Sequence, residues 1–320
     1  MYEINAKLKI MKKTLRFTMV ALIALSVTFT SCKKDKDNTA DNSELTTHSD
    51  DEARFDNETD AAFNDMNVAI ESNVQMSGKP TNVLNFPCDA TAVFATTATT
   101  KTITITYNGT VCPGALHTRT GTIVISMPLA QHWKDPGAVI TGTITNLKIT
   151  RISDNKSITI NGVHTITNVT GGLLVNLGLP GATPIIHDIA SPGMTVTFDD
   201  GSQRSWQVAK RRTFTYSSGI VISTVGTHSD GGIDHIAVWG TNRFGNPFVT
   251  STTAAMVIRQ DCGFRLVSGE VTHQRMFATA IVTFGLDAQG NPTTCPAGVF
   301  YYKLVWTGAN GIVRTYILPY

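Results

Sequence analysis

Hydrophobic and polar residues alternate along most of the chain after residue 82. In the run Thr100–Tyr107, Ile103, Ile105 and Tyr107 fall on one side and Thr102, Thr104 and Thr106 on the other, which is the period of a half-buried strand. Thr and Ile are β-branched and pack well on a pleated surface. Similar runs occupy 121–127, 138–152, 157–168, 194–198, 205–216, 236–240, 247–259, 264–272, 276–284, 299–306 and 312–318. Turn-forming groups separate them, among them Asp135-Pro136-Gly137, Asp154-Asn155, Gly171-Gly172 and Asp199-Asp200-Gly201. Many strands joined by short turns predict an all-β body over 82–320, an antiparallel multi-stranded sheet built as a sandwich or a curled meander.

The pattern changes upstream. Ala62, Phe63, Met66, Ala69 and Ile70 recur at helical spacing, and acidic residues crowd the turns before them, where they favour the helix dipole. This predicts a short amphipathic helix over 53–76. The stretch 32–52 is nearly free of apolar residues and reads as a disordered tether. Before it, Met11-Lys12-Lys13-Thr14-Leu15-Arg16 is basic and Phe17–Phe29 is apolar. That run is too short to span a bilayer, which takes about 20 residues. A basic start, a short apolar run and small residues before a cleavage point describe a secretory signal over 1–31, with Met11 as its start.

Charge sharpens the division. The whole chain has a net charge of +2, but residues 33–75 hold 4 basic and 12 acidic side chains, whereas 76–320 hold 17 basic and 11 acidic. An acidic arm precedes a mildly basic body, and an arm of this composition is expected to stay soluble and extended. Nucleic acid is not an expected partner, because an exported chain with so few clustered Lys and Arg lacks the electrostatic footprint.

Four cysteines follow Cys32: Cys88, Cys112, Cys262 and Cys295. An even number in an exported chain favours disulfides, and no CxxC pair points to a metal. Local pairing, Cys88 with Cys112 and Cys262 with Cys295, closes loops of about 25 and 34 residues, each restricting the unfolded chain by roughly 3.5 kcal/mol. It also gives one bridge to each of two segments sharing the plan Cys, strand, aromatic-Gly or aromatic-Asn-Gly, Cys-Pro, Gly, strand, which suggests two duplicated halves.

Candidate chemistry is sparse. The loop His228, Asp230, Asp234, His235 is the densest polar cluster and the candidate for a divalent metal, with a solvated turn as the simpler reading. Strand 205–216 puts Trp206, Lys210, Arg212 and Tyr216 on one face, where rings and cations together suit a sugar or an anionic headgroup; the simpler reading is a half-buried strand whose Lys and Arg stems cover apolar neighbours. There is no Gly-x-Ser-x-Gly and no His-Glu-x-x-His. Asp154, Asp199, Asp200 and Asp287 sit in turn positions. No catalytic residue and no cofactor is expected.

Thr30-Ser31-Cys32, followed by Lys33-Lys34-Asp35, resembles the lipobox of bacterial lipoproteins, in particular those of the Bacteroidetes group. The resemblance implies that Cys32 is lipidated and becomes the new N-terminus. Ile103–Cys112, Arg119–Val124, Asp135–Ile140, Gly240–Gly245 and Val267-Ser268-Gly269 resemble an uncharacterised family of cell-envelope lipoproteins from that group. The likeness implies an outer-membrane location, periplasmic or surface-facing, and carries no activity. The expectation is a lipid-anchored envelope protein with a structural or accessory role and no catalysis, its partners the membrane and a glycan or envelope protein. A glycan- or ligand-binding lipoprotein is the alternative, and a hydrolase ranks last.

Overall fold

The computed structural model describes residues 39–79, 86–275, 278–295, 299–308 and 311–320. The signal segment 1–31 and Cys32 lie outside the described residues. Contacts divide the chain into Met1–Asp50, whose described part is the opening of helix α1 (Thr39–Glu71), and Asp51–Tyr320, which holds the rest of α1 and all the strands. Among the described residues no helix is long and apolar enough to cross a membrane.

Among the described residues, fifteen strands belong to one hydrogen-bonded antiparallel sheet, so the meander holds and no second sheet is formed there. In chain order the first half comprises β1 (Ala90–Thr96), β2 (Thr100–Asn108), β3 (His117–Pro128), β4 (Ala138–Arg151), β5 (Ser157–Asn168), β6 (Ile185–Phe198) and β7 (Gln203–Tyr216). Next come β8 (Ile220–Gly226), β9 (His228–Asp230), β10 (Ile233–Thr241) and β11 (Pro247–Arg259). The last four are β12 (Arg265–Arg275), β13 (Ala278–Leu286), β14 (Tyr301–Thr307) and β15 (Val313–Pro319). Each pairs with its sequence neighbour except around β8 to β10. There β8 and β10 share one lane between β7 and β11: β8 pairs with residues 210–216 of β7, and β10 with residues 205–208. The periodicity misses β1, β8 and β9. The first is Ala- and Thr-rich with both faces largely exposed, and the last has three residues.

Strand alternation is read correctly where one face is buried. Ile103, Ile105 and Tyr107 are buried on β2, as are Ile123, Ile125 and Met127 on β3. Against this face lies α1, whose Phe55, Ala62, Phe63, Met66, Ala69 and Ile70 are buried at helical spacing. Burying each of the large side chains contributes about 1.5–3 kcal/mol. Gly142 on β4 lets the helix come close: a Cβ there would meet Met66 Cε at 2.5 Å.

The N-terminal reading needs correction. The helix begins at Thr39, inside the stretch 32–52 expected to be a disordered tether, and it runs to Glu71 rather than 76. Residues Val74–Ser77 form a separate turn, α2, whose cap Asn73 accepts hydrogen bonds from Gln75 N–H and Met76 N–H. Five of the acidic residues from Asp51 onward, Asp51, Glu52, Asp56, Asp60 and Asp65, are met by cations that the sheet supplies.

Candidate functional site

The chemically dense part of the molecule is the contact between α1 and the sheet. Along the helix, Asp51 accepts from Arg243 Nε at 2.7 Å, and Asp56 accepts from Lys210 Nζ at 2.9 Å. Glu52 pairs with Arg204, and Asp60 with Arg212. Asp65 accepts from Arg119 Nη1 at 2.7 Å and from the Tyr107 hydroxyl at 2.8 Å, while the same guanidinium donates twice to Asp89. Geometry explains part of the match. A four-residue step on a helix is about 6 Å and a two-residue step on a strand about 6.8 Å, so Asp56 and Asp60 advance in step with Lys210 and Arg212. Rings complete the set: the Arg204 guanidinium lies 3.6 Å over Trp206 and 4.3 Å over Phe248, and Arg243 lies 3.6 Å over Phe198.

Desolvation sets the protonation behaviour. Burial raises the carboxyls of Asp51, Glu52 and Asp65 above their ordinary values, with Arg243, Arg204 and Arg119 respectively pulling the other way. Burial also raises Glu71, whose two oxygens accept from the Leu174 and Val175 N–H groups at 2.7 and 3.0 Å. Two histidines on the same inner face stay neutral. His164 on β5, packed edge-on against Phe63, is pushed by burial down to about 3, with Lys210 and Arg212 adding to the effect. His187 on β6, between Trp133 and Phe214 and cross-strand from Arg212, is likewise pushed to about 3 by burial.

This arrangement decides the fate of the expected recognition strand. Trp206, Lys210 and Arg212 do share one face of β7, but that face is covered: Trp206 is 1% exposed and rests on Phe55, and Lys210 and Arg212 are engaged by Asp56 and Asp60. They form the seat of the helix rather than an open ligand surface. Tyr216, at the end of the strand, is 54% exposed. With Thr215 and the loop Leu177–Pro184 it lines a recess of about 400 Å³ that has no charged group.

The metal candidates do not converge. His228 stacks on Trp239 at 4.3 Å, Asp230 and Asp234 are exposed, and His235 turns outward with φ +57°. Among the described residues, no three ligand atoms of His228, Asp230, Asp234 and His235 gather at one point. The hairpin exists because Gly226 and His235 meet where β8 gives way to β10, leaving β9 and its turn pushed out of the lane. Asp154, Asp200 and Asp287 hold turns, bonding Lys156 N–H, Ser202 N–H and Asn291 N–H.

Both expected disulfides form, Cys88–Cys112 and Cys262–Cys295. Each joins a residue just before one strand pair, β1–β2 or β12–β13, to the loop just after it. The plan read from the two segments is thus repeated in the covalent topology. What periodicity misses is the helix–sheet charge ladder. Its signal is acids at i and i+4, Asp56 and Asp60, set against cations at i and i+2, Lys210 and Arg212.

Comparison of the chain with protein families, with curated proteins and with solved structures finds no match in any of the three.

Proposed function

We propose that this chain is a lipid-anchored cell-envelope protein with a structural or accessory role and no catalytic centre. The observation that carries the reading is the use of its titratable groups. An active site needs several of them converging with room for a substrate. Here Asp51, Glu52, Asp56, Asp60 and Asp65 of α1 are matched by Arg243, Arg204, Lys210, Arg212 and Arg119, and the buried Glu71 is held by the Leu174 and Val175 N–H groups, with the helix filling the space between. Several acids outside that contact are committed to turns. Such a body serves as a rigid mount. The Thr30-Ser31-Cys32 signal supplies the tether, and several acyl chains at Cys32 hold a protein to a membrane far more firmly than one.

The test is fatty-acid labelling with membrane fractionation of the full chain and of Cys32→Ala. Label and membrane retention are lost together in the variant. Retention without label, or label that persists in Cys32→Ala, overturns the anchor. Turnover of an ester, peptide or glycoside that disappears with one acid or histidine overturns the non-catalytic reading.

A second reading rests on the Tyr216 recess. An exposed ring beside backbone amides and no charge suits a neutral sugar. Specific binding on a glycan array, lost in Tyr216→Ala, would put this reading first.

A further inference from the structure

Among the described residues, the last strand ends the sheet without a neighbour on its outer side, since β15 pairs with β14 alone. Natural edge strands are blunted by inward charges, bulges or a covering element. Here the edge carries a single charge, Arg314, and its pairing with β14 runs without a bulge from Val313 to Pro319. Val313 is 59% exposed, Tyr316 40% and Ile317 37%.

The direction of each backbone group follows from the register. Gly308 N–H donates to Ile312 C=O, and Tyr320 N–H donates to Phe300 C=O. Even-numbered residues of β15 therefore bond to β14, and Val313, Thr315 and Ile317 aim N–H and C=O outward. Pro319 offers only its C=O.

We infer that β15 is a self-complementary edge that pairs antiparallel with β15 of a second copy about a two-fold axis at Tyr316. In that register Thr315 faces Ile317 twice and gives both bonds of each pair. Val313 faces Pro319 twice and gives one each, about six bonds in all. Tyr316 meets Tyr316 in the non-hydrogen-bonded position, where Cα atoms approach to about 4.5 Å. The charges agree: each Arg314 faces Leu318, and the two guanidinium-bearing positions lie about 14 Å apart along the strands, beyond the screening length of about 8–10 Å. Shifting the axis to Thr315 or Ile317 keeps the parity but leaves Tyr316 without its own ring opposite. The Ala- and Thr-rich edge β1 offers no aromatic partner beyond Phe94. A single added strand buries less than the roughly 1,000 Å² of a strong interface, so the dimer is expected to be weak, on the order of 1–100 µM.

The experiment uses the full chain in a Cys32→Ser background, with sedimentation velocity across a concentration series and non-reducing gels of single-cysteine variants. A reversible dimer is expected, with rapid cross-linking of Tyr316→Cys and none of Arg314→Cys. Thr315→Pro removes an outward N–H twice across the axis while leaving the β14 bonds intact, so the monomer keeps its fold, as circular dichroism will register; dimerisation weakens by on the order of tenfold or more. A chain that stays monomeric at 200 µM (about twice the upper bound expected for its Kd), a dimer indifferent to Thr315→Pro, cross-linking at Arg314 rather than Tyr316, or open-ended oligomers that join Thr315→Cys to Val93→Cys each overturn the proposal.

Discussion

Strands β2 to β7 and strands β12 to β15 belong to the same sheet but are stabilised by different means. The first group faces α1. Its buried Ile, Met, Val and Trp side chains join those of Phe55, Phe63, Met66 and Ile70 in one core that also takes in β10 and β11. Strands β12 to β15 contribute nothing to that core. Buried residues of this region, among them Val271, Ala280, Val282, Trp306 and, just before β14, Phe300, fall outside it. An aromatic group of Phe284, Phe300, Tyr302 and Tyr320 at 5.5–6.1 Å, the Cys262–Cys295 bridge, and Glu270 accepting from Thr253 and Thr283 complete the set. The difference shows what a covering helix allows. Where α1 excludes water the sheet buries charge, because Arg119, Arg204 and Arg212 each have a helix carboxylate within reach and Lys101 donates to the Gln75 carbonyl. In the C-terminal strands the buried polar side chains are uncharged, with His273 bonded to Thr250 and its pKa pushed down to about 4 by burial, while the partly exposed carboxylate of Glu270, at the rim, is met by hydroxyls.

The largest expected effect follows from that contrast. Arg204 has a fully buried side chain, and Glu52 neutralises it. Glu52→Gln leaves the guanidinium buried without a counter-charge, a loss of about 3–5 kcal/mol. Glu270→Gln, whose hydroxyl partners are exposed or half-exposed, costs about 1 kcal/mol or less. Urea denaturation of the two variants side by side measures the gap. Equal losses would mean that the helix-backed charges are no more critical than those at the rim.

A second effect separates the regions by pH. His164 in the folded chain titrates near 3 and in the unfolded chain near 6.5. The folded pKa is depressed, so the unfolded state takes up the proton first. Stability from this group is therefore intact above pH 6.5 and is lost as pH falls toward 3. At pH 5 the cost is about 2 kcal/mol. Buried carboxyls such as Asp65 act oppositely in their own window, because a raised folded pKa favours the protonated native state as pH drops. Comparing His164→Met with the parent by chemical denaturation at each pH isolates the histidine. The variant gains about 2 kcal/mol relative to the parent between pH 7 and pH 5. Parallel pH profiles would show that His164 is not buried neutral against Phe63.

Sequence made the strand half of this comparison legible and left the helix half obscure. Alternation located Ile103, Ile105 and Tyr107 because a buried face imposes a strict period of two. The cysteine spacing located both bridges because each closes over a local strand pair. Trp206, Lys210 and Arg212 were correctly placed on one face, but alternation cannot say what covers a face. The answer lay more than a hundred residues upstream, in Glu52, Asp56 and Asp60. Those acids read as a solubilising arm because an isolated acidic stretch cannot bury its charge. It can do so only when a distant strand supplies cations at the matching step. The start of α1 at Thr39 was hidden for the same reason, as its apolar spacing begins only with Phe55.

The smallest effect tests how closely the helix is seated. Gly142 belongs to β4 and has no positive φ, so its small size is explained by space rather than by backbone conformation. A Cβ at this position meets Met66 Cε at 2.5 Å and Sδ at 3.3 Å. Both atoms are at the far end of a flexible thioether, which can swing aside at modest cost. Gly142→Ala is therefore expected to cost about 1 kcal/mol, far less than the loss of a buried ion pair. Met66→Ala removes the obstructing atoms and costs about 2–5 kcal/mol as a cavity. In the double variant the methyl group added at position 142 enters the space that Met66 has left. The two losses then fall short of additivity by about 0.5–1 kcal/mol. Strict additivity in thermal or urea denaturation would mean that Met66 does not lie over Gly142, and that α1 sits further from β4 than the ladder of ion pairs implies.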